Sequence, residues 1–243
     1  MLDSITIRKY KPEDREHIRK ICCDNGFFGN PIENVFEDRE LFADFYTSYY
    51  INKEPGHIFI AIDKNKVIGY LISSTNKNHF ISSLPIYITS ISKMLFRFIA
   101  RKYKQKESYE YVKLALKSVF TSFKNPRNSA HLHFNVDKNY RHHGIGIRLL
   151  IEFEDMLLKE KIKTYYGQFY DKLNDDSRSK IQKIFGFIDY DIKETKIFSN
   201  KIKETIYIKT IKKDLSINNT IASVVESKGL KIANVDFWKW TIT

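Results

Sequence analysis

The chain has 243 residues, of which 42% are hydrophobic and 14% aromatic, so it can bury a core and is not globally disordered. Its net charge of +12 suits an anionic ligand, but the lysines are spread along the whole chain, and we do not expect a nucleic-acid partner. The two cysteines, Cys22 and Cys23, are adjacent, which argues against a disulfide scaffold. Because no signal peptide is visible either, we expect a cytoplasmic protein.

The N-terminal part predicts a strand, two helices and a hairpin, in that order. The alternating segment 5–10 predicts the first strand, and Pro12 with the acids after it predicts a helix start. The apolar spacing within 38–51 predicts a second helix. Two strands follow, joined by a hairpin turn at 63–66, and we place them at 58–62 and 67–72.

Residues 77–128 predict two further helices, which we place at about 85–103 and 108–123. The first is the most hydrophobic part of the chain, but it contains Pro85, Lys93 and Arg97, so it predicts a buried or surface-lying helix rather than a membrane span. The pair is too apolar for a solvated loop. Packing on the domain, a subunit interface and a membrane-facing amphipathic surface all stay open.

The next segment predicts a strand, a basic glycine turn and a helix. Residues 130–136 form an apolar run, and an apolar helical stripe covers 145–158. The turn between them reads Arg141-x-x-Gly144-x-Gly146. Glycines let the backbone approach a ligand, and the first N–H groups of a helix lack intrahelical acceptors. The turn therefore predicts an anion site suited to a pyrophosphate.

The C-terminal part predicts a strand at 163–170, a short helix at 175–185 and two more strands. Gly186 suits the left-handed position that ends the short helix. We place the last two strands at 188–198 and 202–211, joined by a Ser-Asn turn. The extension 215–243 carries three aromatic residues that imply packing on the domain or a partner, namely Phe237, Trp238 and Trp240.

The glycine turn resembles the R/Q-x-x-G-x-G/A motif of the GCN5-related N-acetyltransferases, the GNAT family. Val136 stands five residues before Arg141, where that family has an apolar residue ending its fourth strand. The resemblance implies an α/β fold with a mixed, mostly antiparallel central sheet flanked by helices. It also implies a domain at 1–214, with 77–128 as a helical insertion between the third and fourth strands and 215–243 as an extension.

The resemblance further implies acetyl-CoA as acyl donor and an amine, small or peptidic, as acceptor. The pantetheine would run between the strand that ends at Val136 and residues 163–170. The insertion would form a lid at the acceptor side, with Tyr87, Phe98 or Tyr109 near its entrance. The expected cofactor-binding residues are Phe134, Val136, Arg141, His142, His143, Gly144, Ile145, Gly146 and Asn174. We assign no metal ligands, and a homodimer is compatible with the sequence.

His131 and His133 are the candidate general bases. They alternate on one strand and therefore share a face, and imidazole titrates near neutral pH. They resemble the histidine pair of arylalkylamine-type acetyltransferases. Their distance to the glycine turn is one residue shorter, so a strand bulge is needed, and without it both would face the opposite side. Both can equally be packed, hydrogen-bonded structural residues.

The general acid is the second open point. The tyrosine that the family uses to protonate the leaving thiolate falls here on Gln182, which cannot donate that proton. Tyr165, Tyr166 or Tyr170 could replace it, and Tyr170 is our candidate. Two functions therefore stay open. One is a working N-acetyltransferase acting on a primary amine, and the other is a catalytically inactive acyl-CoA-binding module.

Overall fold

A computed structural model describes residues 4–118, 124–172 and 182–231 of the chain. Its centre is a sheet built from β1 (Ile5–Lys9), β2 (Phe59–Asp63), β3 (Lys66–Ser74), β4 (Ala130–Val136), β5 (Thr164–Lys172), β6 (Phe187–Thr195) and β7 (Ile206–Asp214). In the described residues the strand order is β1-β2-β3-β4-β5-β7-β6. Only β4 and β5 run parallel, and the other neighbours run antiparallel. The predicted mixed, mostly antiparallel sheet is confirmed.

Helices cover both faces of this sheet. They are α1 (Arg15–Asn25), α2 (Arg39–Lys53), α3 (His79–Ile99), α4 (Lys106–Ser118), α5 (Ile145–Lys159) and α6 (Ile221–Ser227). Local signals explain several boundaries. Pro12 opens the 3-10 turn that leads into α1, and the Asp38 side chain accepts a hydrogen bond from Leu41 N to cap α2. None of the described helices is both long and apolar enough to cross a membrane.

The two faces of β4 belong to different cores. Leu132, Phe134 and their even-numbered neighbours pack with α5 in one buried cluster. His131 and His133 project to the other face, where Tyr46 and Tyr50 of α2 lie against them. Because side chains alternate along a strand, this single register determines which residues face the α1–α2 layer.

α3 and α4 lie between β3 and β4, in the segment proposed from the sequence as an insertion. The sequence predicted that α3 starts at residue 85. This prediction is wrong, because the helix begins at His79 and contains Pro85. Proline leaves the carbonyl four residues earlier without its helical donor. Ile81, the residue four positions earlier, is 64% exposed, so the proline lies on the solvent side of a helix that continues through it. α4 is described to Ser118, and the rest of the predicted segment 108–123 lies outside the described residues.

The insertion is attached to the loop before α2 by hydrogen bonds. Glu37 accepts hydrogen bonds from the backbone N–H groups of Lys104 and Gln105, at 2.9 and 2.7 Å. Arg97 of α3 forms an ion pair with Asp38, the residue that caps α2. These contacts hold the junction between α3 and α4 against the segment that leads into α2.

The last two strands differ from their predicted bounds. β6 ends at Thr195 and β7 starts at Ile206, so residues 196–205 leave the sheet instead of forming the predicted short Ser-Asn turn. The reason is Phe198, which is fully buried against the rings of Phe28 and Tyr170 at 5.6 and 5.1 Å. Burial of this aromatic ring outweighs continued strand pairing. Residues 182–184 are helical, and Gly186 adopts the predicted left-handed conformation, with φ of 77°.

A buried ion pair joins the C-terminal segment to α5. Glu154, 1% exposed, accepts hydrogen bonds from Lys213 Nζ at 2.7 Å and from the Tyr165 hydroxyl at 2.6 Å. Its second oxygen accepts the backbone N–H of Ile221 at the start of α6. Residues 215–230 therefore pack on the same core as α5. Phe237, Trp238 and Trp240 lie outside the described residues.

Candidate functional site

The two parallel strands at the centre of the sheet diverge. β4 and β5 pair only from Ala130↔Tyr165 to Leu132↔Gly167 within the described residues. Past Leu132, β4 continues to pair with β3, and β5 continues to pair with β7. The edge of β4 from Phe134 to Val136 therefore faces an opening in the sheet. Backbone N–H and C=O groups at such an opening can bind an extended ligand in place of a neighbouring strand.

This opening leads to the glycine turn. Gly144 is the N-cap of α5 and has φ of 67° and ψ of 12°, a left-handed conformation that glycine adopts without steric cost. No side chain caps the helix at this position. The first N–H groups of α5 and the positive end of its dipole are therefore available to an anion. His142 and His143 are exposed beside this turn.

Arg141 connects the turn to the loop between α1 and α2. Its guanidinium donates to Asn25 Oδ1 at 2.5 Å and to the Gly29 carbonyl at 2.6 Å. Gly29 has φ of 78°, and a Cβ there would lie 3.2 Å from the Arg141 guanidinium. Burial lowers the pKa of Arg141, yet guanidinium groups stay charged at neutral pH. The Arg141 side chain therefore places a positive charge between the glycine turn and the layer formed by α1 and α2.

Of the two candidate bases, His133 is buried and His131 is half-buried, and both are hydrogen-bonded to tyrosines. The hydroxyl of Tyr50 lies 2.6 Å from His131 Nδ1, and that of Tyr70 lies 2.8 Å from His133 Nε2. Asn135 donates to the Tyr70 hydroxyl at 2.9 Å. Burial lowers the pKa of His133 to about 3 and that of His131 well below its ordinary value. Both imidazoles are therefore neutral at pH 7.

The required bulge is not seen in the described strand. β4 pairs with β3 in one continuous register from Ser74↔His131 to Gly69↔Val136. His131 and His133 therefore share the face of the sheet that carries α1 and α2. Without the bulge the register of the arylalkylamine-type histidine pair is not reproduced, and the role of the two histidines as bases stays a prediction.

His79 is a residue of this neighbourhood that the sequence did not indicate. It is the first residue of α3, and its ring lies 5.1 Å from that of His131 and 4.6 Å from that of Tyr49. Its Nε2 atom is buried and has no hydrogen-bond partner among the described residues. Burial lowers its pKa to about 4. The sequence offered no signal for His79, because the predicted helix started after this residue.

The candidate acids differ in what they contact. The Tyr165 hydroxyl donates to Glu154 on the α5 side, so it is not directed at the face of the histidines. Tyr166 lies opposite His131 in the sheet, with ring centroids 4.8 Å apart. Tyr170 packs on Phe28 and Phe198, and burial raises its pKa, so its hydroxyl stays protonated.

Two further predicted positions bear on the site. Gln182, at the usual position of the acid, is 4% exposed, and its amide nitrogen has no partner among the described residues. Asn174 lies outside the described residues.

Of the aromatic residues expected near the entrance of the lid, Tyr87 contacts Phe45 of α2, with ring centroids 4.8 Å apart. Phe98 and Tyr109 contact each other at the junction of α3 and α4, at 5.5 Å.

Comparison with solved structures shows the fold. The crystal structure of SsHAT superposes with a TM-score of 0.59 at 16% identity and covers 87% of this chain and 98% of that chain. The crystal structure of an acetyltransferase gives 0.52 at 19% identity, with coverages of 87% and 100%. A GCN5-related N-acetyltransferase from Kribbella flavida gives 0.51 at 13% identity, with coverages of 88% and 100%.

Comparison of the sequence identifies the family. Among curated proteins, none matches this chain significantly. The family model described as the acetyltransferase (GNAT) family matches residues 26–187, which is more than half of the chain and includes the glycine turn. The chain therefore belongs to the GNAT family of acetyltransferases.

Proposed function

We propose that this protein is an N-acetyltransferase that transfers the acetyl group of acetyl-CoA to a primary amine. The observation that carries the proposal is the opening between β4 and β5, which leads directly to the N-terminus of α5 capped by Gly144. An extended ligand with a diphosphate at one end suits this combination of exposed strand edge and helix N-terminus. Membership of the GNAT family supports the same donor.

The chain offers a group for each requirement of donor binding. The N–H groups of Gly144, Ile145 and Gly146 would bind the diphosphate, and the charge of Arg141 would add to the positive field beside it. The backbone of Phe134 and Val136 would hold the pantetheine and donate to the thioester oxygen as charge develops there. His142, His143 and Asn174 complete the proposed set of donor-binding residues.

Proton transfer is assigned to the tyrosine–histidine pairs and to Tyr170. Tyr50 would take a proton from the acceptor amine while passing its own proton to His131 Nδ1, and the hydrogen bond of 2.6 Å supports this relay. The Tyr70–His133 pair offers the same chemistry. The Tyr170 hydroxyl, with its raised pKa, would protonate the leaving thiolate. The acceptor itself is a small or peptidic amine whose identity the proposal leaves open.

Two observations favour a second function, that of an acyl-CoA-binding module without catalysis. Gln182 occupies the position of the usual acid. β4 lacks the bulge that the histidines need, and the lowered pKa values of His131 and His133 make them weak bases. Both observations concern proton transfer, and neither argues against binding of the donor at the glycine turn.

Two measurements distinguish these functions. Isothermal titration calorimetry with CoA tests donor binding, which both functions require. Thiol release from acetyl-CoA, followed with a panel of primary amines and peptides, tests turnover. Binding with amine-dependent thiol release supports the transferase. Binding without release for every amine supports the module, and failure to bind CoA refutes both.

A further inference from the structure

The helix α3 carries six large apolar side chains on its solvent-facing side, while Met94, Ile86 and Phe98 pack toward the protein. The residues that face the protein include Ser83 and Ser90, which are 0% and 5% exposed. The exposed side carries large apolar residues, namely Phe80 at 55%, Ile81 at 64%, Ile88 at 61%, Leu95 at 39%, Phe96 at 67% and Ile99 at 70%. A surface helix of a globular domain has the opposite arrangement. We call these six residues the α3 outer face.

The six residues form one stripe along the helix. Ile81, Ile88, Leu95 and Ile99 recur at intervals of seven, seven and four residues, which is the repeat of one helix face. Phe96 lies beside this line. An exposed apolar stripe of several large side chains is not the normal scatter of single surface hydrophobics and indicates an interaction site.

The charged residues of the segment that carries this stripe are all of one sign, and the acidic residues near it come from other segments. Residues 77–106 contain no Asp or Glu, and their basic residues are Lys77, Lys93, Arg97, Arg101, Lys102, Lys104 and Lys106. Arg97 forms an ion pair with Asp38, and Lys106 lies 3.8 Å from Glu110. Lys93, Arg101, Lys102 and Lys104 are exposed at the C-terminal half of α3 and just after it. The stripe is therefore accompanied by a cluster of positive charge.

We propose that the α3 outer face binds the surface of an anionic lipid bilayer. A helix with one apolar face and flanking basic residues lies in the plane of the interface, where the apolar side chains enter the acyl boundary and the basic side chains contact lipid phosphates. α3 does not cross the bilayer. This binding is independent of acetyl transfer and places the enzyme at a membrane surface.

The charge pattern selects this occupant over a second copy of the chain. Two α3 outer faces packed in parallel would bring their basic clusters together, and packed antiparallel each cluster would face the other helix's N-terminal half, which has no Asp or Glu, so neither arrangement neutralises the positive charge. An anionic bilayer instead provides an acyl region that can bury the apolar stripe and anionic headgroups that can contact the basic side chains. A soluble acidic ligand would match the lysines and arginines but would leave the apolar stripe in water.

Vesicle cosedimentation of the full chain tests the proposal. The vesicles are large unilamellar ones of phosphatidylcholine alone, or with about one third phosphatidylglycerol. We expect binding to the anionic vesicles that weakens as salt is raised, because screening reduces the attraction between exposed charges. Neutralising Arg101 and Lys102 as R101Q/K102Q should weaken binding about thirtyfold, at about fivefold per charge. The matched control K228Q/K231Q has the same net charge and should bind like the wild type.

A second pair of variants tests the apolar component. Ile88→Ser with Phe96→Ser should weaken binding to anionic vesicles by at least about tenfold, because both side chains lose their burial in lipid. The matched control is Ile188→Ser with Ile192→Ser, which removes exposed apolar residues from β6. Exposed positions are chosen in both pairs so that folding is retained, and circular dichroism verifies it.

Three outcomes would overturn the proposal. The first is no binding to anionic vesicles. The second is an equal loss of binding in a test pair and in its control. The third is a stable dimer in size-exclusion chromatography that I88S/F96S converts to a monomer, which would assign the α3 outer face to a second copy of the chain.

Discussion

Replacing Gly144 by valine should abolish CoA binding while leaving most of the fold intact. At φ of 67° a residue other than glycine costs about 1–2 kcal/mol, and more for a β-branched side chain. The proposed diphosphate accepts hydrogen bonds from the N–H groups at this N-cap, and hydrogen bonds to charged groups contribute about 1.5–3 kcal/mol each. Loss of two such bonds should therefore weaken CoA binding at least about a hundredfold.

The matched control for this prediction is Gly229→Val. Gly229 also has a positive φ, 58°, and a Cβ there would meet nothing within 4 Å. It lies just after α6, away from the turn. Both variants should lose similar stability in urea unfolding, but only Gly144→Val should lose affinity in calorimetry. CoA binding of Gly144→Val at wild-type affinity would refute the assignment of the anion site to the start of α5.

Four further substitutions test the proton relay and the packing around the site. His131→Ala and His133→Ala should each lower kcat about a hundredfold or more without changing CoA affinity, and unchanged steady-state kinetics in both would make these residues structural. Lys213→Met leaves Glu154 buried without its cation and should lower the free energy of unfolding by about 3–5 kcal/mol in urea titrations, whereas a loss below about 1 kcal/mol would contradict a charged pair. Burial alone would raise the pKa of Glu54, but hydrogen bonds to its carboxylate lower it to about 2. Because this folded-state pKa lies below the ordinary value of 4.5, the stabilisation is complete above that value and is lost as the pH falls toward 2. Glu54→Gln should thus be less stable than the wild type at pH 7, and the difference should shrink to about a quarter of that value at pH 2.5; a difference independent of pH would contradict this reasoning.

The local signals of the sequence predicted the elements that carry the donor site. The strand at 130–136, the turn with Gly144 and the helix from Ile145 all follow from residue alternation, glycine conformation and helical periodicity. These features depend on neighbours within a few residues, so a sequence alone reveals them. The resemblance carried by Arg141 to Gly146 then identified the family, which the family model confirms.

Element boundaries failed where the tertiary surroundings outweighed local preference. α3 runs through Pro85 on the solvent side of the packed chain. β6 stops at Thr195 because Phe198 is buried among aromatic rings from three other segments. Neither result can be read from the residues next to the boundary, since the deciding contacts come from distant parts of the chain.

The sequence by itself determined the fold class, the family and the glycine turn of the proposed donor site, because these depend on local pattern. Only the tertiary structure brought His79 to His131, directed Arg141 to the α1–α2 loop and turned the apolar side of α3 toward solvent. It also set the register of β4, and with it the face of the sheet on which the histidines lie. The physical reason is that burial and pairing across long sequence separations are properties of the whole packed chain, whereas periodicity and turn chemistry are properties of short segments.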